Sequence, residues 1–205
     1  MDLFNQVNTD PKPILPFDGN VIYCADFLNN HDANMYFAEL MEDIHWQNDR
    51  AVIYGKTITT KRKVAWYGDG PFEYTYSKTT KRALPWTKSL SELKNFTEKF
   101  SGESFNSCLL NLYQDGSEGM SWHSDAEKDL IRDGTIASIS LGAKRKFSFK
   151  HKLTKEIISI ELSHGSLLLM KDKTQTHWLH QLPISNKVKE SRINLTFRTI
   201  KTLNN

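Results

Sequence analysis

Cysteine is nearly absent from this sequence: 205 residues contain two, Cys24 and Cys108. A chain of this length does not need a disulfide scaffold. Two free thiols point to a reducing compartment, so the cytoplasm is expected, or the nucleus if the source is eukaryotic. No stretch is long and apolar enough to span a bilayer, so no membrane partner is expected. Residues 1–6, Met-Asp-Leu-Phe-Asn-Gln, show no basic segment followed by an apolar run, and no secretory leader is expected. The formal charge is only +3, which does not by itself announce a nucleic-acid binder; its distribution has to decide. Internal repeats and low-complexity tracts are also missing. The length suits one globular domain with a sizeable core.

What is present changes character along the chain. Residues 1–20 hold Pro11, Pro13, Pro16 and Gly19 and read as an irregular N-terminal arm, and residues 21–24 suit a short strand. Ala33, Phe37, Leu40, Met41 and Ile44 recur at helical spacing, which predicts an amphipathic helix over 32–46 with those side chains in the core. Ser89-Leu-Ser-Glu92 reads as a capping box. Leu90, Leu93, Phe96 and Phe100 follow at helical spacing, and Gly102 is placed to end that helix. From 105 onward the chain is strand-like over 107–113, 136–141, 146–150, 157–162, 166–170 and 192–199, and Gly142 breaks the second of these. Short strands after two helices predict a mainly β fold, an antiparallel two-sheet jelly roll with supporting helices.

Residues 50–82 carry Arg50, Lys56, Lys61, Arg62, Lys63, Lys78, Lys81 and Arg82 against only Asp69 and Glu73. Tyr54, Trp66, Tyr67, Phe72, Tyr74 and Tyr76 are interleaved with them. Cations neutralise phosphates and flat rings stack on bases, so nucleic-acid contact is one reading. The other is a solvated strand face with its aromatics turned inward. Gly55, Gly68, Gly70 and Pro71 mark turns between short strands.

The chemistry centres on residues 111–127, where His123 and Asp125 form a His-x-Asp pair. Residues two apart on an extended backbone share a face, so an imidazole nitrogen and a carboxylate oxygen can meet one point. A metal needs a third ligand, and residues 177–180, His-Trp-Leu-His, offer both His177 and His180. Two imidazoles and one carboxylate on one face of a metal is the donor set of non-haem Fe(II) oxygenases. Many such pairs are only a surface hydrogen bond, so the pair alone is a weak signal. On the last strand Arg192, Asn194, Thr196 and Arg198 share one face and Ile193, Leu195 and Phe197 the other. Two arginines on one strand face can clamp a dicarboxylate; equally, a half-buried strand can turn its polar face to solvent.

The ordered set Asn111-x-Tyr113, His123-x-Asp125-x-Glu127, Ser138–Gly142, His164–Met170, His180-Gln-Leu-Pro183 and Arg192–Arg198 resembles the AlkB family of Fe(II)/2-oxoglutarate-dependent dioxygenases, in its DNA alkylation-repair branch. The resemblance runs from about Val52 to Ile200. It implies a double-stranded β-helix core over 105–200 and a nucleotide-recognition lid over 50–86. It places His123, Asp125 and His180 at the iron ligands, favouring His180 over His177. Arg192 and Arg198 fall on the arginines that hold 2-oxoglutarate, with Asn111, Tyr113, Asn194 and Thr196 beside them. Glu127 falls on the acid that faces the damaged base and Tyr76, in Tyr74-Thr-Tyr76, on the aromatic that stacks on it. Tyr54, Gly55 and Lys56 fall on a loop that touches the duplex.

The implied cofactors are Fe(II), 2-oxoglutarate and O₂. The implied partner is DNA, with RNA or a non-catalytic binding module as alternatives, and the expected acting unit is a monomer. The implied reaction is oxidative demethylation of bases such as 1-methyladenine and 3-methylcytosine, releasing formaldehyde, with 2-oxoglutarate converted to succinate and CO₂. Such a base must leave the stack to be reached. The basic runs 144–146 and 150–152 have two readings of equal weight: they join the lid in holding phosphates, or they form a solvated hairpin. Ala126 departs from the family pattern, which often has a second acid there, and Tyr76 stands where Phe or Trp is usual.

Overall fold

A computed structural model describes residues 13–53, 56–76 and 79–202; within it, the side chains of 50–53, 56–58, 74–76 and 79–81 are outside the description. Among the described residues the strands and helices run in this order: β1 (Asn20–Cys24), α1 (Asn30–Asp43), β2 (Gln47–Ile53), β3 (Lys56–Gly68), β4 (Glu73–Tyr76), β5 (Thr79–Arg82), α2 (Lys88–Ser101), β6 (Ser107–Tyr113) and β7 (Met120–His123). The C-terminal half adds β8 (Ile136–Gly142), β9 (Arg145–His151), β10 (Ile157–Leu162), β11 (Ser166–Lys171), α3 (Thr174–His177), β12 (Trp178–Leu182) and β13 (Arg192–Arg198). None of these helices is long and apolar enough to cross a membrane.

The strands form a larger sheet in the order β1-β11-β8-β13-β6-β3-β2, a smaller sheet β10-β9-β12-β7, and a separate pair β4-β5. The pairings in all three are antiparallel. This is the expected two-sheet jelly roll. Part of the expected lid, β3, is built into the larger sheet through β6, with Val64 opposite Asn111.

Period two sorts the larger sheet into two unlike faces. Ile193, Leu195 and Phe197 join Leu110, Leu112, Ile139 and Leu141 in a core covered by Ala33, Tyr36 and Leu40 of α1 and Leu90 and Leu93 of α2. Full burial of a leucine such as Leu90 or Leu93 contributes about 1.5–3 kcal/mol. The opposite face looks into the roll. At one end it is apolar, where Ile136, Leu168 and Met170 meet Phe149, Leu162 and Trp178. At the other end the same face carries Asn111, Ser138, Ser140, Arg192, Thr196 and Arg198, all buried.

Several local expectations are corrected. The first helix spans Asn30–Asp43 rather than 32–46, because Asn29 accepts from the Asp32 N–H as its cap and Ile44 is already extended. Met41, expected in the core, is exposed, and Tyr36 fills the buried place on that face. The second helix is capped by Thr87, whose Oγ1 accepts from the Leu90 N–H at 3.3 Å. Ser89 therefore caps nothing; it lies inside the first turn and donates to Glu39 Oε2 at 2.6 Å. Gly102 does close the helix, at φ 71°, with its N–H on the Glu98 carbonyl. Gly142, at φ 85°, ends β8, and its N–H donates to His164 Nδ1.

Candidate active site

Two strands of the smaller sheet bring the two histidines together. His180 of β12 sits opposite His123, the last residue of β7. Their Nε2 atoms are 3.1 Å apart and their rings meet edge to face at 4.2 Å. Asp125 lies just past the end of β7, not on it. The chain still turns its carboxylate inward, so that one ligating atom from each of His123, Asp125 and His180 lies within 4.8 Å of the others. His177, the competing third residue, falls outside this cluster.

The residues around the cluster fix its orientation. His123 Nδ1 lies 2.7 Å from the Ser121 carbonyl, which can only accept, so the ring proton sits there and Nε2 presents a lone pair. The Asp125 N–H donates to Gln175 Oε1 at 2.9 Å. Phe147 stacks on the His180 ring at 5.4 Å. Burial pushes the His180 imidazole down to about 4, so it is neutral at physiological pH. Burial also disfavours the Asp125 charge, but Arg198, His180 and His123 outweigh it and hold the carboxyl below its ordinary range. Two imidazole nitrogens and a carboxylate converging on one point make a fitting donor set for a divalent iron ion.

Next to this triad, β13 presents its polar face. Arg192 is buried, donates to Ser140 Oγ at 2.9 Å and lies 5.5 Å over the Tyr113 ring. Its Nε has no hydrogen-bond partner. No carboxylate pairs with it among the described residues, and burial lowers the guanidinium to about 10 while leaving it charged at neutral pH. A buried cation with an unused donor suits an incoming carboxylate. Asn194 donates to Ser138 Oγ and the Ile139 carbonyl and accepts from Thr196 Oγ1 at 3.2 Å. Register places Asn194 opposite Asn111, and Arg192 opposite Tyr113. Arg198, six residues on, reaches Asp125 Oδ1 at 3.6 Å and Glu127 Oε1 at 3.2 Å.

The sequence-predicted residues are thus distributed as follows. His123, Asp125, His180, Arg198 and Glu127 converge, and Asn111, Tyr113, Arg192, Asn194 and Thr196 line the adjoining interior face. Tyr54 and Gly55 lie outside the described residues, and Lys56, Tyr74 and Tyr76 lie on strands whose side chains there are outside them.

Other assignments change. Tyr67, grouped with the base-stacking rings, is buried, and its hydroxyl accepts from the His45 N–H. Arg62 pairs with Asp49 and is spent inside the β2–β3 hairpin. Arg145, expected to hold phosphate, is buried and donates to the carbonyls of Asp115, Glu118 and Pro183, bracing the loop that enters β7 and the turn that leaves β12. Sequence reasoning missed Gln175 and Phe147. Neither carries a motif; only their place beside Asp125 and His180 reveals them.

Residues 20–198 match the family model described as the 2OG-Fe(II) oxygenase superfamily. The chain is 37% identical over 180 residues to the mouse (Mus musculus) DNA oxidative demethylase ALKBH2, covering 82% of this chain and 75% of that protein. It is 37% identical over 180 residues to the human (Homo sapiens) protein of that name, covering 82% and 69%. It is 39% identical over 190 residues to the Bos taurus alpha-ketoglutarate-dependent dioxygenase alkB homolog 3, covering 88% of this chain and 66% of that protein. A solved structure titled "The structure of OsALKBH1" superposes with a TM-score of 0.59 at 14% identity, covering 90% of this chain and 99% of that one, and shows the fold.

Proposed function

This chain belongs to the 2OG-Fe(II) oxygenase superfamily and, within it, to the AlkB family, and from that premise we propose that it removes alkyl groups oxidatively from bases such as 1-methyladenine and 3-methylcytosine in DNA. The observation that carries the reading is one constellation: the His123, Asp125 and His180 cluster beside a buried Arg192 whose Nε has no hydrogen-bond partner, with an acid, Glu127, at its edge. The relatives named as DNA oxidative demethylases support DNA as the substrate.

In this proposal His123, Asp125 and His180 hold Fe(II). Arg192 and Arg198 hold the two carboxylate ends of 2-oxoglutarate, with Asn111, Tyr113, Asn194 and Thr196 shaping its bed. When Fe(II), 2-oxoglutarate and O₂ are bound, the chemistry supplied is hydroxylation of the N-methyl carbon; 2-oxoglutarate leaves as succinate and CO₂, and the hydroxymethyl adduct releases formaldehyde and the free base.

The protein's own residues select and place the base. A base methylated at its pairing nitrogen is cationic and pairs poorly, so flipping it costs less. Glu127 attracts that charge, and Tyr76 and the His123 ring sandwich the base. Tyr54, Gly55, Lys56 and Tyr74, with the rest of the 50–86 lid, contact the nucleic acid. Lys61, Lys146 and Lys150 neutralise phosphates. We take the acting unit to be a monomer.

The test is mass spectrometry on an oligonucleotide carrying one 1-methyladenine or 3-methylcytosine, incubated with protein, Fe(II), 2-oxoglutarate and ascorbate in air, beside His123→Ala. Loss of the methyl mass with formaldehyde and succinate, by the parent alone, is expected. Succinate without demethylation would move the substrate to RNA or to larger adducts. No succinate from iron-loaded protein would overturn the reading.

A further inference from the structure

A second cluster shares no residue with the first. One ligating atom from each of Asp18, His151 and His177 lies within 4.8 Å of the others. Asp18 comes from the arm ahead of β1, His151 ends β9 and His177 ends α3, immediately before the strand that carries His180. His151 is only 2% exposed, and its Nε2 faces Asp18 Oδ2 at 3.4 Å. That nitrogen has no hydrogen-bond partner, although buried polar atoms nearly always find one. Phe17 and Trp178 pack edge-on against the imidazole at 5.0 and 4.9 Å, and His177 lies parallel to it at 6.3 Å, so the ring is held in place.

A proton on this nitrogen has no aligned acceptor, although the Asp18 carboxylate stands beside it. The Thr154 N–H donates to His151 Nδ1 at 3.1 Å, which leaves the proton of the neutral ring on Nε2 with nothing aligned to accept it. A divalent cation on Nε2 would displace that proton. The ring would then carry its proton on Nδ1, where Thr154 Oγ1 lies 3.1 Å away as an acceptor. A metal-bound histidine normally donates its other N–H in this way. Thr154 is exposed, so its own N–H can turn to water.

We propose that Asp18, His151 and His177 form a second metal site, for Zn²⁺ or a similar divalent cation, that fastens the N-terminal arm to the smaller sheet. Two imidazoles and one carboxylate are donors of the kind Zn²⁺ takes, with water completing the tetrahedron. Asp18 is exposed and gives the ion a way in, and His151 closes the inner side. The site fixes the arm, whose Phe17 carbonyl already accepts from Trp178 Nε1 at 3.1 Å, against the segment leading into His180.

The experiment removes the first site. Metal-free His123→Ala/Asp125→Ala protein is titrated with Zn²⁺ against a chromogenic chelator, and retained metal is counted by mass spectrometry. One tightly held equivalent is expected. Adding Asp18→Asn or His177→Gln, both at accessible positions, should weaken it by at least about 100-fold, and Zn²⁺ should raise the melting temperature only while both residues are intact. In the parent background the same two variants should keep their demethylation rate. A double variant that retains no Zn²⁺, or Zn²⁺ binding that ignores Asp18→Asn and His177→Gln, would overturn the proposal. The second outcome would leave Asp18, His151 and His177 as neighbours that share no ion. Because the double variant has no catalytic triad, its answer is independent of whether the chain repairs DNA.

Discussion

Arg198 and Glu127 are joined at 3.2 Å, and the same Arg198 nitrogen stands 3.6 Å from Asp125. One guanidinium therefore touches the residue proposed to read the damaged base and a residue proposed to bind iron. It also sits on the strand proposed to hold 2-oxoglutarate. Any ligand that draws Arg198 away from Glu127 leaves that acid freer to meet a cation, so cosubstrate and base recognition share a side chain.

Glu127→Gln keeps the shape and removes the charge. For a cationic lesion such as 1-methyladenine, kcat/KM should fall about 10- to 100-fold, matching one charge-assisted hydrogen bond. For a neutral lesion such as 3-methylthymine it should change little. Steady-state kinetics on the two oligonucleotides checks this, and an equal fall on both would remove Glu127 from charge recognition.

Arg192→Met should separate stability from cosubstrate binding. The guanidinium is buried with an unpaired Nε, so an apolar side chain of similar length should leave the melting temperature of the metal-free protein unchanged or higher. The KM for 2-oxoglutarate should rise at least about 100-fold, the scale of a lost charged pair. Calorimetry and succinate release measure the two effects.

Gln175→Met removes the acceptor of the Asp125 N–H, and so the restraint on that residue's backbone. Apparent Fe(II) affinity should drop about tenfold or more, while secondary structure stays intact by circular dichroism. Excess Fe(II) should restore turnover. Failure of excess metal to rescue would point to a role other than positioning Asp125.

Acid should destabilise the metal-free protein through His180. Burial lowers this imidazole from 6.5 to about 4, so between those values the unfolded chain binds the extra proton. Stability is therefore full above about pH 6.5 and falls as the pH drops toward 4, by roughly 3 kcal/mol in all. Urea unfolding at pH 7.5, 5.5 and 4.5 reads the slope, and a His180→Leu protein should lose it.

DNA binding should weaken steeply with salt, since the proposed contacts of Lys61, Lys146 and Lys150 are to phosphates. Arg145→Gln should leave that salt slope alone and lower the melting temperature instead, because Arg145 braces three carbonyls from a buried position. Fluorescence anisotropy at several salt concentrations distinguishes the two.

The sequence by itself determined the mainly β jelly roll, the period-two division of β13 and the ordered set of residues that marks the family. These are local or ordered signals: alternation along a strand shows which residues share a face without any knowledge of what lies opposite. The family resemblance favoured His180 over His177, but only the tertiary structure shows β12 setting His180 across from His123. It alone showed that Arg145 and Arg62 are spent internally, since a charge on a strand reads the same whether it faces water or three carbonyls. It placed the helix cap at Thr87 because the cap is set by where the backbone turns helical, not by the nearest Ser-x-x-Glu pattern. The bridge from Arg198 to Glu127 and the pairing of Gln175 with Asp125 join residues 71 and 50 positions apart. Pairings that distant are fixed by how the sheets close on each other, and no local pattern in the chain encodes them.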